Sequence, residues 1–126
     1  MKLRAKTLSV IIWSENHEKL AKWYEDVLEF SVRGVTTHPD DSCIDFDFGD
    51  TFFSIGKHDQ VKGQSRDPYR IMIGFPVSSV SEAYESIKNK KPITWLAKPF
   101  LSPTGTVWCM TMADPEGNIL QFFGQK

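Results

Sequence analysis

Several things are scarce in this chain of 126 residues, and each scarcity closes off a class of protein. Long apolar runs are missing: the longest is Val10-Ile11-Ile12-Trp13, far short of the ~20 residues that cross a bilayer as a helix, so no membrane partner is expected. Cysteine is rare, with only Cys43 and Cys109 and no CxxC spacing. Two such thiols frame no disulfide scaffold and suit a reducing compartment, so a cytoplasmic location is expected. Neither sign of charge dominates, since 15 Lys+Arg stand against 16 Asp+Glu for a formal net charge of −1. No basic stripe is present to neutralise phosphates, and nucleic acid is therefore not expected as a partner. The basic start, Met1 to Lys6, leads into no apolar core, so a cleaved signal peptide is not expected. What the chain does have is aromatic side chains, at 13% with four Trp and nine Phe. A chain of this length buries about two thirds of its unfolded surface without a metal or a disulfide.

Along the chain, Thr7 to Trp13 is β-branched and apolar, as a strand is. Asn16 caps a helix expected over 17–28, where Leu20, Tyr24, Val27 and Leu28 form one apolar stripe. Strands follow over 30–35, 43–48 and 51–56, the last two joined by Gly49-Asp50, and the polar stretch 57–68 is a connector. The same order then returns. A strand over 69–77 leads into Ser79-Val80-Ser81-Glu82, a capping box in which serine and glutamate side chains each bond the other's backbone N–H. Val80, Ala83, Tyr84 and Ile87 stripe the second helix, which Lys88 to Lys91 and Pro92 close. Strands are expected over 93–96, 106–112 and 118–123, with Asp114-Pro115-Glu116-Gly117 as a type I turn between the last two. Asn16 and Ser79 lie 63 residues apart (79 − 16), and so do Tyr24 and Ile87 (87 − 24). Two stripes in phase at one offset make the chain a βαβββ unit written twice, an α+β single domain with module one at 1–62 and module two at 63–126.

Two stretches resemble a known family. Trp23-Tyr24-Glu25-Asp26-Val27-Leu28-Glu29-Phe30 resembles the FY-x-x-x-LGF helix end of the vicinal oxygen chelate superfamily, which includes glyoxalases, bleomycin-resistance proteins and extradiol dioxygenases. Asp114-Pro115-Glu116-Gly117-Asn118-Ile119-Leu120-Gln121 resembles its DP-x-GN-x-x-E signature. Glu29 stands where that family has Gly, so the helix end is expected to close differently. The resemblance implies the glyoxalase/bleomycin-resistance fold, two βαβββ modules forming a cupped mixed sheet, with a homodimer as the usual assembly. It also implies four metal-ligand positions, which fall here on Ser9, Ser54, Met72 and Gln121. Two hydroxyls, a thioether and a neutral amide offer a divalent metal no anionic or imidazole donor. The resemblance is therefore to the metal-free, bleomycin-resistance-like members. No metal and no other cofactor is expected, and the balance leans away from an enzyme.

Strand alternation then fills the cup. With Ser9 inward, Ile11 and Trp13 face inward too, while Val10 and Ile12 pack under the first helix. The same rule sends Phe52, Ser54, Met72, Gly74, Ile119, Gln121 and Phe123 inward, and Trp95, Phe100 and Trp108 flank the loop over 99–105. The expected ligand-binding set is Ser9, Ile11, Trp13, Phe52, Ser54, Met72, Trp95, Phe100, Trp108, Gln121 and Phe123. Such a cup suits a small aromatic or apolar organic molecule. The alternative is a metal-dependent glyoxalase-type lyase, thiol transferase or dioxygenase with an atypical ligand set. Phe30, Phe53, Phe75 and Phe122 belong to the core. Asp45 and Asp47 share one strand face, expected to be solvated; Trp23 is expected at a dimer contact or only partly buried, and His17, His38 and His58 are expected to be exposed.

Overall fold

A computed structural model describes residues 2–126, and in it each half of the chain builds its own four-stranded sheet with one helix packed on it. The first unit, Met1–Gly63, holds β1 (Val10–Ser14), α1 (His17–Asp26), β2 (Val32–Thr36), β3 (Cys43–Phe48) and β4 (Thr51–Lys57). The second, Gln64–Lys126, holds β5 (Met72–Ser79), α2 (Val80–Ile87), β6 (Thr94–Leu101), β7 (Trp108–Ala113) and β8 (Ile119–Gln125). The strand orders are β1-β4-β3-β2 and β5-β8-β7-β6. In each, the outermost pair (β1 with β4, β5 with β8) is parallel and the other pairs are antiparallel. This is the twice-written βαβββ order, and the fold is α+β. Among the described residues no helix is long and apolar enough to cross a membrane.

Local chemistry explains the element ends. Asn16 Oδ1 accepts the Lys19 N–H at 3.3 Å to start α1, and the buried Ser14 hydroxyl accepts the Asn16 N–H at 2.9 Å. At the other end Phe30 N–H reaches back six residues to the Tyr24 carbonyl at 3.1 Å, which satisfies one carbonyl of the last turn. The expectation that Glu29 closes this helix differently is corrected: at φ 59 Glu29 adopts the left-handed conformation that glycine would. Ser79 Oγ accepts the Glu82 N–H at 3.2 Å but donates to the Lys126 carbonyl at 2.6 Å, so half of the capping box forms and its hydroxyl serves the chain end. The turn over 114–118 is built by one buried carboxylate. Asp114 Oδ1 accepts the N–H groups of Glu116 and Asn118 at 2.9 Å each, and Oδ2 accepts Asn118 Nδ2 at 2.8 Å. Gly117, at φ 84, donates its N–H to the Asp114 carbonyl at 3.0 Å.

The helix-facing sides hold the cores. In the first unit Tyr24, Phe30, Phe46, Phe48 and Phe53 form one aromatic cluster with ring centroids between 5.1 and 6.2 Å apart. In the second unit Met110, Met112 and Leu120 are fully buried beside a stacked Phe75–Phe122 pair at 5.3 Å. Several boundaries differ from the sequence expectation. β1 begins at Val10 instead of Thr7, which leaves Ser9 outside the strand and exposed. Tyr69 falls in a short 3₁₀ turn, Pro68–Arg70, and β6 runs on to Leu101 through register irregularities at Trp95/Ala97 and Ala97/Phe100. His17 is buried, not exposed, and Trp23 is buried within its own unit, against the expectation of partial burial or a dimer contact.

Candidate functional site

The face of the first sheet turned away from α1 is organised in rows by strand register. Trp13, Gly56, Cys43 and Thr36 lie in one row, and Ile11, Ser54, Asp45 and Gly34 in the next. Phe52 and Asp47 are paired beyond them. Three apolar side chains are left open on this face: Ile11 at 50%, Trp13 at 40% and Phe52 at 51% exposure. Trp13 lies flat across its neighbour strand, because a Cβ on Gly56 would come within 2.7 Å of the indole Cζ3. Its ring meets His58 edge-on at 5.3 Å. Phe52 is capped by the Arg33 guanidinium, 4.8 Å from the ring centroid, while Arg33 Nη1 donates to the Gly49 carbonyl at 2.8 Å.

The polar centre of this face is a cross-strand pair. Ser54, buried at 7% exposure, donates its hydroxyl to Asp45 Oδ1, and Cys43 Sγ donates to the same oxygen at 3.8 Å. Burial pushes the Cys43 thiol above its ordinary range and the Asp45 charge adds to that, which keeps the thiol protonated as a donor. The expectation that Asp45 lies on a plain solvated face is thereby corrected. Asp45 is half-buried and bonded to a residue of the expected set. The sequence carries a signal for this: a hairpin turn of two residues, Gly49-Asp50, pairs Phe48 with Thr51 and hence Asp45 with Ser54.

The second sheet repeats this plan with other chemistry. Gln121 Nε2 donates to Thr111 Oγ1 at 3.2 Å, the register counterpart of the Ser54–Asp45 pair. Phe123 lies over Gly74, where a Cβ would fall 2.9 Å from the ring. Met72 opens β5 at 49% exposure, and Phe100 stands opposite Cys109, which pairs in turn with Phe123. Two expected lining residues lie elsewhere. Trp95 packs edge-on against Tyr84 of α2 at 5.3 Å, and Trp108 pairs with Leu101 and Gly124 under the Lys126 ammonium, 5.0 Å from its ring. Trp95 pairs with the buried Met112, and Trp108 lies on the same face of β7 as Met110 and Met112.

The four positions that would carry a divalent metal therefore hold an exposed Ser9 before β1, a Ser54 committed to Asp45, an exposed Met72 and a Gln121 committed to Thr111. None is anionic or imidazole, so this donor set does not fit such a metal. Among the described residues no group of three or more His, Cys, Asp and Glu is gathered in ligating range.

No protein-family model matches this sequence, and no curated protein does. Solved structures match over nearly the whole chain. The glyoxylase/bleomycin resistance protein/dioxygenase domain from Frankia sp. EAN1pec is 14% identical over 99% of this chain and 94% of its own, with a TM-score of 0.75. The trypanothione-dependent glyoxalase I of Leishmania major is 15% identical over 97% and 88%, at 0.72. A glyoxalase I mutant from Zea mays is 15% identical over 94% of this chain and 44% of its own, at 0.74. Residue identity this low carries the backbone and not the chemistry. The chain has the fold of these glyoxalase and bleomycin-resistance protein structures.

Proposed function

We propose that this protein binds a small aromatic or apolar organic molecule without a metal ion, on the sheet face around Trp13. The observation that carries the reading is the combination on one face of exposed Ile11, Trp13 and Phe52 with a buried, hydrogen-bonded Ser54–Asp45 centre. Apolar walls with a few placed polar groups are what small-molecule sites present. The unsuitable donor set at the metal positions supports the metal-free half of the proposal. Isothermal titration with planar aromatic compounds tests it: Trp13→Ala is expected to lose most of the affinity, and an unchanged affinity removes Trp13 from the site. Metal analysis of the purified protein tests the other half, where stoichiometric Ni, Zn, Mn or Fe would overturn it in favour of a metal-dependent enzyme.

A further inference from the structure

The Asp45 carboxylate has an uneven set of partners. Oδ1 receives both the Ser54 hydroxyl and the Cys43 thiol, whereas Oδ2 accepts no hydrogen bond among the described residues. No Lys, Arg or His nitrogen lies within 4 Å of it among those residues either. Arg33, a cation on β2 beside β3, is held by the Phe52 ring and the Gly49 carbonyl. Ser54 and Cys43 both donate to Oδ1, so the acceptor capacity that remains on this carboxylate lies at Oδ2. Its β2 register partner is Gly34, where a Cβ would meet nothing within 4 Å, so the sheet leaves room on the β2 side of Asp45.

The charge around Trp13 has the same sign. Beyond the indole lies a cleft of about 300 Å³ walled by Trp13 and His58, with Asp40, Asp41 and Asp59 against the single Lys57. Neither Asp40 nor Asp41 takes part in an ion pair among the described residues. An electron-rich indole face bordered by carboxylates is complementary to a positive charge carried next to an apolar body.

From this geometry we infer that the ligand is an organic cation, an aromatic or apolar body bearing an ammonium or amidinium group, and that Asp45 is the residue that selects it by taking the cationic N–H at Oδ2. The inference rests on the binding role proposed above and narrows it to one chemical class. Ser54 and Cys43 are positioning residues here, because both hold the carboxylate by Oδ1 and leave the acceptor capacity of Oδ2 to the ligand.

A matched pair of probes separates the two claims. Isothermal titration of the full chain with 2-naphthylmethylammonium and with 2-naphthalenemethanol compares one ring system with and without the charge. The ammonium is expected to bind about tenfold tighter, the size of one charge-assisted hydrogen bond. Asp45→Asn keeps an acceptor for Ser54, and it is expected to bring the two affinities together by weakening the ammonium about tenfold more than the alcohol. Equal affinities in the unmodified protein overturn the selection of cations and leave the aromatic-binding role standing; no binding of either probe overturns both. A preference that survives Asp45→Asn but disappears in Asp40→Asn or Asp41→Asn overturns the assignment to Asp45. Should the Asn variant fail to fold, raising KCl on the unmodified protein still decides, since screening must weaken the ammonium and spare the alcohol.

Discussion

The two units share one strand order and part company over what is placed on it. In the first, the register pair at the centre of the open face is Asp45 with Ser54; in the second the same pair is Thr111 with Gln121. One carries a full charge and the other none. The seating of aromatic rings is also exchanged. In the first unit the ring comes from β1 and the glycine beneath it from β4, while in the second the ring comes from β8 and the glycine from β5. The cores differ as well, an interlocked aromatic cluster against a thioether and leucine core. The comparison teaches that a repeat preserves which positions meet, because backbone register decides that, and leaves the chemistry at those positions free.

The core contrast is open to the largest effect. Phe46 touches Tyr24, Phe30 and Phe53, so Phe46→Ala is expected to cost about 4 kcal/mol. Met110→Ala, equally buried, is expected to cost about 3 kcal/mol, since flexible thioether neighbours relax into the space more readily. Urea unfolding of both variants checks this, and a cost for Met110→Ala that matches or exceeds that of Phe46→Ala breaks the distinction. Next come the turns that join the last two strands. Asp114→Ala strips three hydrogen bonds from a buried turn and is expected to cost about 3 kcal/mol. Gly49→Ala in the corresponding hairpin of the first unit imposes only a left-handed φ on alanine, about 1 kcal/mol. Comparable losses in thermal melts would show the two turns to be equivalent supports. The smallest effect is a gain: Glu29→Gly relieves the left-handed φ at the end of α1 and is expected to add about 1 kcal/mol of stability. A loss on calorimetry would show instead that the Glu29 side chain contributes more than its backbone costs.

Much of the architecture is legible in the order of residues alone. The stripes on α1 and α2, their common offset and the Asp114 turn all follow from local rules, and local rules act within a few residues. The offset itself drifts, because Ser54 and Gln121 lie 67 apart (121 − 54), the second unit using longer connections. The site is legible in part. Alternation opposes Ile11 and Trp13 to the buried Ile12, and the structure agrees. Trp95 and Trp108 are expected in the lining only because they flank the loop over 99–105, whereas their register partners Met112 and Gly124 set them on the face of the buried Met110 and Met112. Asp45 escapes alternation for a different reason. Its role depends on the residue across the ladder, and only counting outward from the Gly49-Asp50 turn finds that partner.

A ring resting on a glycine has no side chain beneath it to key its position. Trp13 over Gly56 and Phe123 over Gly74 are therefore the two places where the open faces can be reshaped without touching either core. Glycine becomes alanine through one base change in its codon, and one methyl group at either site would lift a ring off its strand. Descendants of this chain thus stand a single mutational step from a differently contoured surface, at positions where the closest neighbour of the new methyl group is a ring of the open face.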